Sequence, residues 1–162
     1  MASDLRLSWR LTGSGWADCT IADEERKAHL TASYISNAPE DLLKAVGRLL
    51  TGQFETRAQF EAEPTAYRWI FYRQDTTVWI RIVELSHGAL HDNVGTELWS
   101  SWQPVDRLVR SVVCCFDQVA DTYGESAYRG KWGEHFPRVE LEALRRLWRA
   151  DPTGNDHHEH RE

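Results

Sequence analysis

A period-2 pattern of side chains runs on both sides of one short polar turn, over YRWIFYRQDTTVWIRIVE from Tyr67 to Glu84. Period-2 alternation flanking a turn predicts a β-hairpin. With Asp75-Thr76 as a two-residue loop inside Gln74-Asp75-Thr76-Thr77, Phe71 falls opposite Ile80 and Trp69 opposite Ile82 on one face. The other face then sets Tyr72 against Trp79 and Ile70 against Arg81. A slip of one residue would move every apolar side chain to the wrong side, so the pattern specifies its own register.

The same reading orders the rest of the chain. Leu5, Leu7, Trp9 and Leu11 alternate with Arg6, Ser8 and Arg10, a half-buried strand. Gly13-Ser14-Gly15 turns it into a second strand over Trp16–Ala22, and Asp23-Glu24-Glu25-Arg26-Lys27 into a third over Ala28–Ile35. Short polar turns of this kind predict an antiparallel meander. Pro39 near a helix start, Glu40-Asp41 in the first turn and apolar residues at helical spacing then predict a helix over 39–51, closed by Gly52. Alternation resumes at Ala58, Phe60 and Ala62 and ends at Pro64, ahead of the hairpin. Residues 86–95 read as a loop, and Glu97–Trp102 as a further strand. The stripe Val105, Leu108, Val109, Val112, Val113, Phe116, Ala120 and Tyr123 predicts the longest helix, from Pro104 to Tyr123, terminated by Gly124. Ser126–Trp132 suggests a short helical turn, and Pro137 opens a last helix.

The predicted order is βββ-α-βββ(β)-α-α. No crossover recurs as in a parallel α/β protein, so the fold class expected is α+β: an antiparallel sheet of about six or seven strands packed with three helices. One domain is expected over residues 1–150, followed by a disordered, polar, His-rich tail at 151–162 (DPTGNDHHEHRE). No internal repeat is visible.

Composition adjusts this picture in a few places. The 162 residues suffice for a core without covalent staples. No apolar run approaches the roughly 18–20 residues of a membrane span, and MASDLRLSW lacks the basic-then-apolar form of a secretion signal. A cytoplasmic protein is expected. The formal charge is -6, of which residues 151–162 contribute -3. The chain lacks the basic excess that phosphate backbones require, so no nucleic-acid partner is expected, nor a membrane. An acidic surface suits a basic protein partner and is explained equally well by solubility alone, and a monomer or a homodimer is expected. Cys19, Cys114 and Cys115 have no metal-ligand spacing and read as reduced thiols.

Four places carry residue types with chemical potential. His87-x3-His91-Asp92 brings nitrogen and oxygen ligand types together, but Gly88 argues against the helix that would align them, and an ordinary polar loop is the plainer reading. His157, His158 and His160 bind metals only in the manner of a purification tag. Cys114 falls opposite the apolar stripe of its helix, beside Arg110, Asp117 and Asp121, with no Cys-His pairing in sequence. The remaining place is the Arg-aromatic face of the hairpin, where Arg68, Tyr72, Trp79 and Arg81 are the binding-surface candidates. Arg and aromatic side chains dominate interface hot spots. They are also ordinary cross-strand pairs on a solvated sheet face. Among the eight Trp residues, Trp9, Trp69 and Trp148 fit core positions, while Trp16, Trp79, Trp99, Trp102 and Trp132 do not declare themselves. The chain carries no GxGxxG, GxxxxGK[ST], GxSxG or HExxH pattern, so no cofactor and no catalytic apparatus is implied.

The stretches GSGWADCTIADEE, SYISNAPEDLLKAVGRLLTG, EPTAYRWIFYR and YRGKWGEHFP resemble a family of small uncharacterised actinobacterial proteins of unknown function, across most of residues 5–148. An Arg-rich composition, with 16 Arg against 3 Lys, agrees with such a source. The resemblance implies no catalytic residue. In size and charge the chain is also similar to bacterial immunity proteins, which bind and block a toxin. Two functions are therefore expected to compete. The first is a non-catalytic protein-interaction, immunity-like module acting through the Arg-aromatic face. The second is a small-molecule-binding or enzymatic domain with a pocket lined by Trp and Tyr.

Overall fold

The computed structural model describes residues 4–151. The tail expected to be disordered lies, beyond Asp151, outside the described residues. The chain is α+β, with seven antiparallel strands divided between two sheets rather than joined in one. The first sheet is the meander β1 (Arg6–Gly13), β2 (Trp16–Ala22) and β3 (Lys27–Ser33). The second is β4 (Glu55–Glu61), β5 (Ala66–Gln74), β6 (Thr77–Leu85) and β7 (Thr96–Pro104), paired in that order. Helix α1 (Ala38–Leu50) joins the sheets, and α2 (Val105–Tyr123), α3 (Glu125–Trp132) and α4 (Arg138–Ala150) follow. The stretch read as a short helical turn is thus a helix of its own, which makes four.

The hairpin register is the one its alternation specifies: Trp69 pairs with Ile82, Ile70 with Arg81, Phe71 with Ile80 and Tyr72 with Trp79. Asp75 makes the two-residue turn with a left-handed backbone (φ 57°) that Asp tolerates better than most side chains. Strand β3 ends at Ser33, short of the expected Ile35, because Tyr34 and Ile35 already turn outward, the latter 60% exposed.

The inner face of the second sheet lays Phe60, Trp69, Phe71, Val78, Ile80, Ile82 and Trp99 into one core with α1, α2 and the inner face of the first sheet. Trp9 is the hub on the other side, edge-on to Phe60 (5.8 Å) and to Trp132 (5.3 Å). Trp99 and Trp132, undeclared in sequence, are buried here, while Trp148 is partly buried and donates its Nε1–H to Asp106 (2.8 Å). The helices cover the inner face. Among the described residues no helix is long and apolar enough to cross a membrane.

Hydrogen bonds beyond the core also tie the sheets together. In the turn between β2 and β3, Arg26 donates from Nη2 to the Ser100 carbonyl of β7 (3.1 Å), and its own carbonyl accepts the Trp99 Nε1–H (3.1 Å). Ser36, after β3, donates its hydroxyl to the Gln59 carbonyl of β4 (3.3 Å).

Candidate interaction surface

Among the described residues no α-helix covers the outer face of the second sheet; one short 3-10 turn, Asp92–Val94, lies against it. This outer face is the Arg-aromatic face expected from the hairpin, and its two ends differ.

At the β4–β5 end, the segment between β6 and β7 folds back onto the sheet. Arg68 is the clamp that holds it. Its guanidinium donates to the carbonyls of Leu90 (2.7 Å) and Gly88 (2.9 Å), to Asp92 Oδ1 (2.9 Å) and, through Nε, to Gln59 Oε1 (2.8 Å). Two loop carbonyls and one carboxylate are thereby satisfied by a single planar fork, a task for which Lys has the wrong shape. Arg57 grips the other oxygen of Asp92, at 2.6 Å from Nη2 and 3.0 Å from Nε, and also pairs with Glu55 (2.8 Å). Under the loop, Leu90 packs on a small apolar cluster of Ala66, Ile70, Val83 and Leu85. Two glycines allow the close approach. A Cβ on Gly88 would run into the Gln59 and Glu61 side chains, and one on Gly95 would lie 3.0 Å from the Glu84 carbonyl oxygen and 2.9 Å from a Leu85 methyl. The Arg68 side chain is left only 12% exposed.

Partial burial tends to raise the Asp92 carboxyl, but the hydrogen bonds and charges of Arg57 and Arg68 outweigh it and hold the group below the usual carboxylate range. Asp92 is therefore engaged by two arginines, while His87 and His91 are exposed beside it. Among the described residues no group of three or more His, Cys, Asp or Glu side chains is arranged to hold a metal ion.

At the β6–β7 end the face is open. Tyr72, Trp79 and Trp102 stand directly opposite one another on β5, β6 and β7, a row of rings across three strands. Trp79 and Trp102 are in contact, with centroids 5.1 Å apart and planes tilted by 37°. Tyr72 is 48% and Trp102 49% exposed, although rings of this size usually lie well inside. A β-bulge at Leu98 pairs Glu97, rather than Leu98, with Val83. That extra residue brings Glu97 onto the outer face, where it accepts from Arg81 Nε (2.7 Å).

The turn between β2 and β3 borders this open end. Asp23 Oδ1 accepts the backbone N–H groups of Glu25 (2.9 Å) and Arg26 (2.8 Å), which fixes the turn's shape. Trp79, Trp102, Ser100 and the turn residues Asp23, Glu24, Glu25 and Arg26 line a cleft of about 260 Å³.

Of the four binding-surface candidates, the structure brings Tyr72, Trp79 and Arg81 together at the open end and places Arg68 inside the clamp. Trp102 and the acidic turn complete the surface but were not part of that set. Trp102 carried no signal of its own, because its place opposite Trp79 depends on a β6–β7 register set across a ten-residue connection and a bulge. The acidic turn carried none either, because its place depends on how one sheet meets the other. Elsewhere, Cys114 is exposed on α2 as its helical position requires, while Cys19 and Cys115 are buried and burial pushes their thiols up, away from the reactive thiolate. The buried Trp and Tyr side chains pack on one another, Tyr128 edge-on to Phe136 at 5.4 Å for example, and so fill the core.

No protein-family model and no curated protein matches the chain. Among solved structures, the chain is similar to one from the CdiA-CT/CdiI toxin and immunity complex of Enterobacter cloacae, with a TM-score of 0.44 and 12% identity over 72% of this chain and 97% of that one.

Proposed function

We propose that the protein is a non-catalytic protein-interaction module, of the kind that immunity proteins exemplify, and that it binds its partner through the open end of the outer sheet face. The observation that carries this reading is the aromatic row Tyr72–Trp79–Trp102, which lies in register on three rigid strands with two of its rings about half exposed. Large, stiff aromatic side chains bury much area at little entropic cost, and they centre on the hot spots of protein interfaces. A row held by a sheet is preorganised, so binding loses little freedom. The competing reading, a pocket lined by Trp and Tyr, is disfavoured because Trp9, Trp69, Trp99, Trp132 and Tyr128 are all buried in the one core cluster.

Affinity capture from source-cell lysate with the full chain, beside a Trp79→Ala/Trp102→Ala variant, tests the reading. A stoichiometric protein retained by the wild type and lost from the folded variant is expected. A partner captured equally by both would remove the aromatic row from the function.

A further inference from the structure

The cleft beside the aromatic pair has a chemistry that the row alone does not. It is lined on one side by Trp79 and Trp102, with Ser100 and Ser101, and on the other by the turn Asp23–Arg26. Three carboxylates against one guanidinium give that wall a surplus of two negative charges. The guanidinium is committed, because Arg26 Nη2 donates to the Ser100 carbonyl (3.1 Å) and hydroxyl (3.3 Å). Asp23 is committed too, through its bonds to the turn's own backbone. Glu24 and Glu25 are different: both are exposed, and among the described residues neither carboxylate has an ion-pair partner.

Resting on the reading above, we infer that this cleft receives an arginine side chain of the protein partner, its guanidinium laid on the Trp79–Trp102 pair and its N–H groups turned to Glu24 and Glu25. Two indole rings beside two carboxylates without ion-pair partners attract a cation by both routes at once, through the ring quadrupole and through charge. Arginine suits the site better than lysine, because a planar guanidinium stacks on indole while its edge donates in the ring plane. The acidic rim also favours approach of a basic surface before contact. The wall is rigid for this purpose, since Arg26 and Trp99 tie the turn to β7, so the carboxylates and rings hold one mutual geometry without a partner.

The probes are N-acetyl-arginine amide and its neutral isostere N-acetyl-citrulline amide, titrated into the full chain at low salt while the indole N–H resonances of Trp79 and Trp102 are followed by NMR. A single side chain should bind weakly, with a Kd on the order of 10 mM. Saturable shifts of those two indoles are expected with the arginine probe, with affinity about fivefold lower for citrulline. The Glu24→Gln/Glu25→Gln variant should bind the arginine probe about threefold more weakly while its core indole resonances stay in place. Equal response to both probes, or no response of these indoles, overturns the inference. So does concentration-dependent self-association that Trp102→Ala abolishes, which would assign the cleft to a second copy of the chain. In the capture experiment, a partner lost by the Trp variant but kept at full affinity by Glu24→Gln/Glu25→Gln would sink the arginine and leave the interaction surface standing.

Discussion

Arg68 and Arg81 stand on the same face of the same hairpin, two strands of one sheet, and meet opposite fates. Arg68 sits 12% exposed at the centre of a clamp with two loop carbonyls, a glutamine and a carboxylate. Arg81 sits 34% exposed, paired with one glutamate across a bulge. Neither residue type nor strand position separates them. The difference is the segment between β6 and β7, which doubles back over the β4–β5 end and stops before the aromatic row. An arginine on a sheet face is therefore a structural part or a surface group according to what the next loop covers.

The largest effect is expected from Arg68→Ala. It leaves the Gly88 and Leu90 carbonyls and Asp92 without their donor in a half-buried place, so a loss of about 3 kcal/mol in unfolding free energy is expected from denaturant titration. The amides of Leu90 and Val94 should lose their exchange protection in the same variant. If stability falls by less than about 1 kcal/mol, the loop is held by Leu90 and its apolar cluster rather than by the clamp.

Acid should act on the same end. The Asp92 carboxyl lies below its ordinary value of 3.8, so its share of stability is fully present above that value and is lost as pH falls through the lower folded one. Asp92→Asn is expected to cost about 1–2 kcal/mol at neutral pH and to flatten the acid limb of the stability curve relative to wild type. A parallel acid limb in wild type and variant would mean that other carboxylates carry the pH dependence. At the open end, Trp79→Ala should cost about 1 kcal/mol, chiefly the ring contact with Trp102, and Trp102→Ala less. Both should unfold in a single transition. The smallest effect is expected from Arg81→Ala, within about 0.5 kcal/mol, as for exposed ion pairs in general. A double-mutant cycle sharpens the contrast further: coupling above about 1 kcal/mol for Arg68 with Asp92, and below about 0.5 kcal/mol for Arg81 with Glu97.

Local geometry is written in neighbouring residues. Alternation at Tyr67–Glu84 set the hairpin register residue by residue, because one-residue slips carry Phe71, Trp69, Ile80 and Ile82 into water. Apolar stripes and proline positions placed α1, α2 and α4 to within a residue or two, since helical spacing and cap chemistry are written in neighbouring residues. What the sequence did not contain was which elements meet across long separations. The split of seven strands into two sheets depends on the edges of β3 and β4, which approach without pairing in one ladder. The clamp on Arg68 depends on a loop some 20 residues away in the chain, and the acidic wall beside Trp102 depends on a turn 74 residues before Ser100. Those contacts have no period and no spacing, because they arise from the packing of whole layers brought together by the fold.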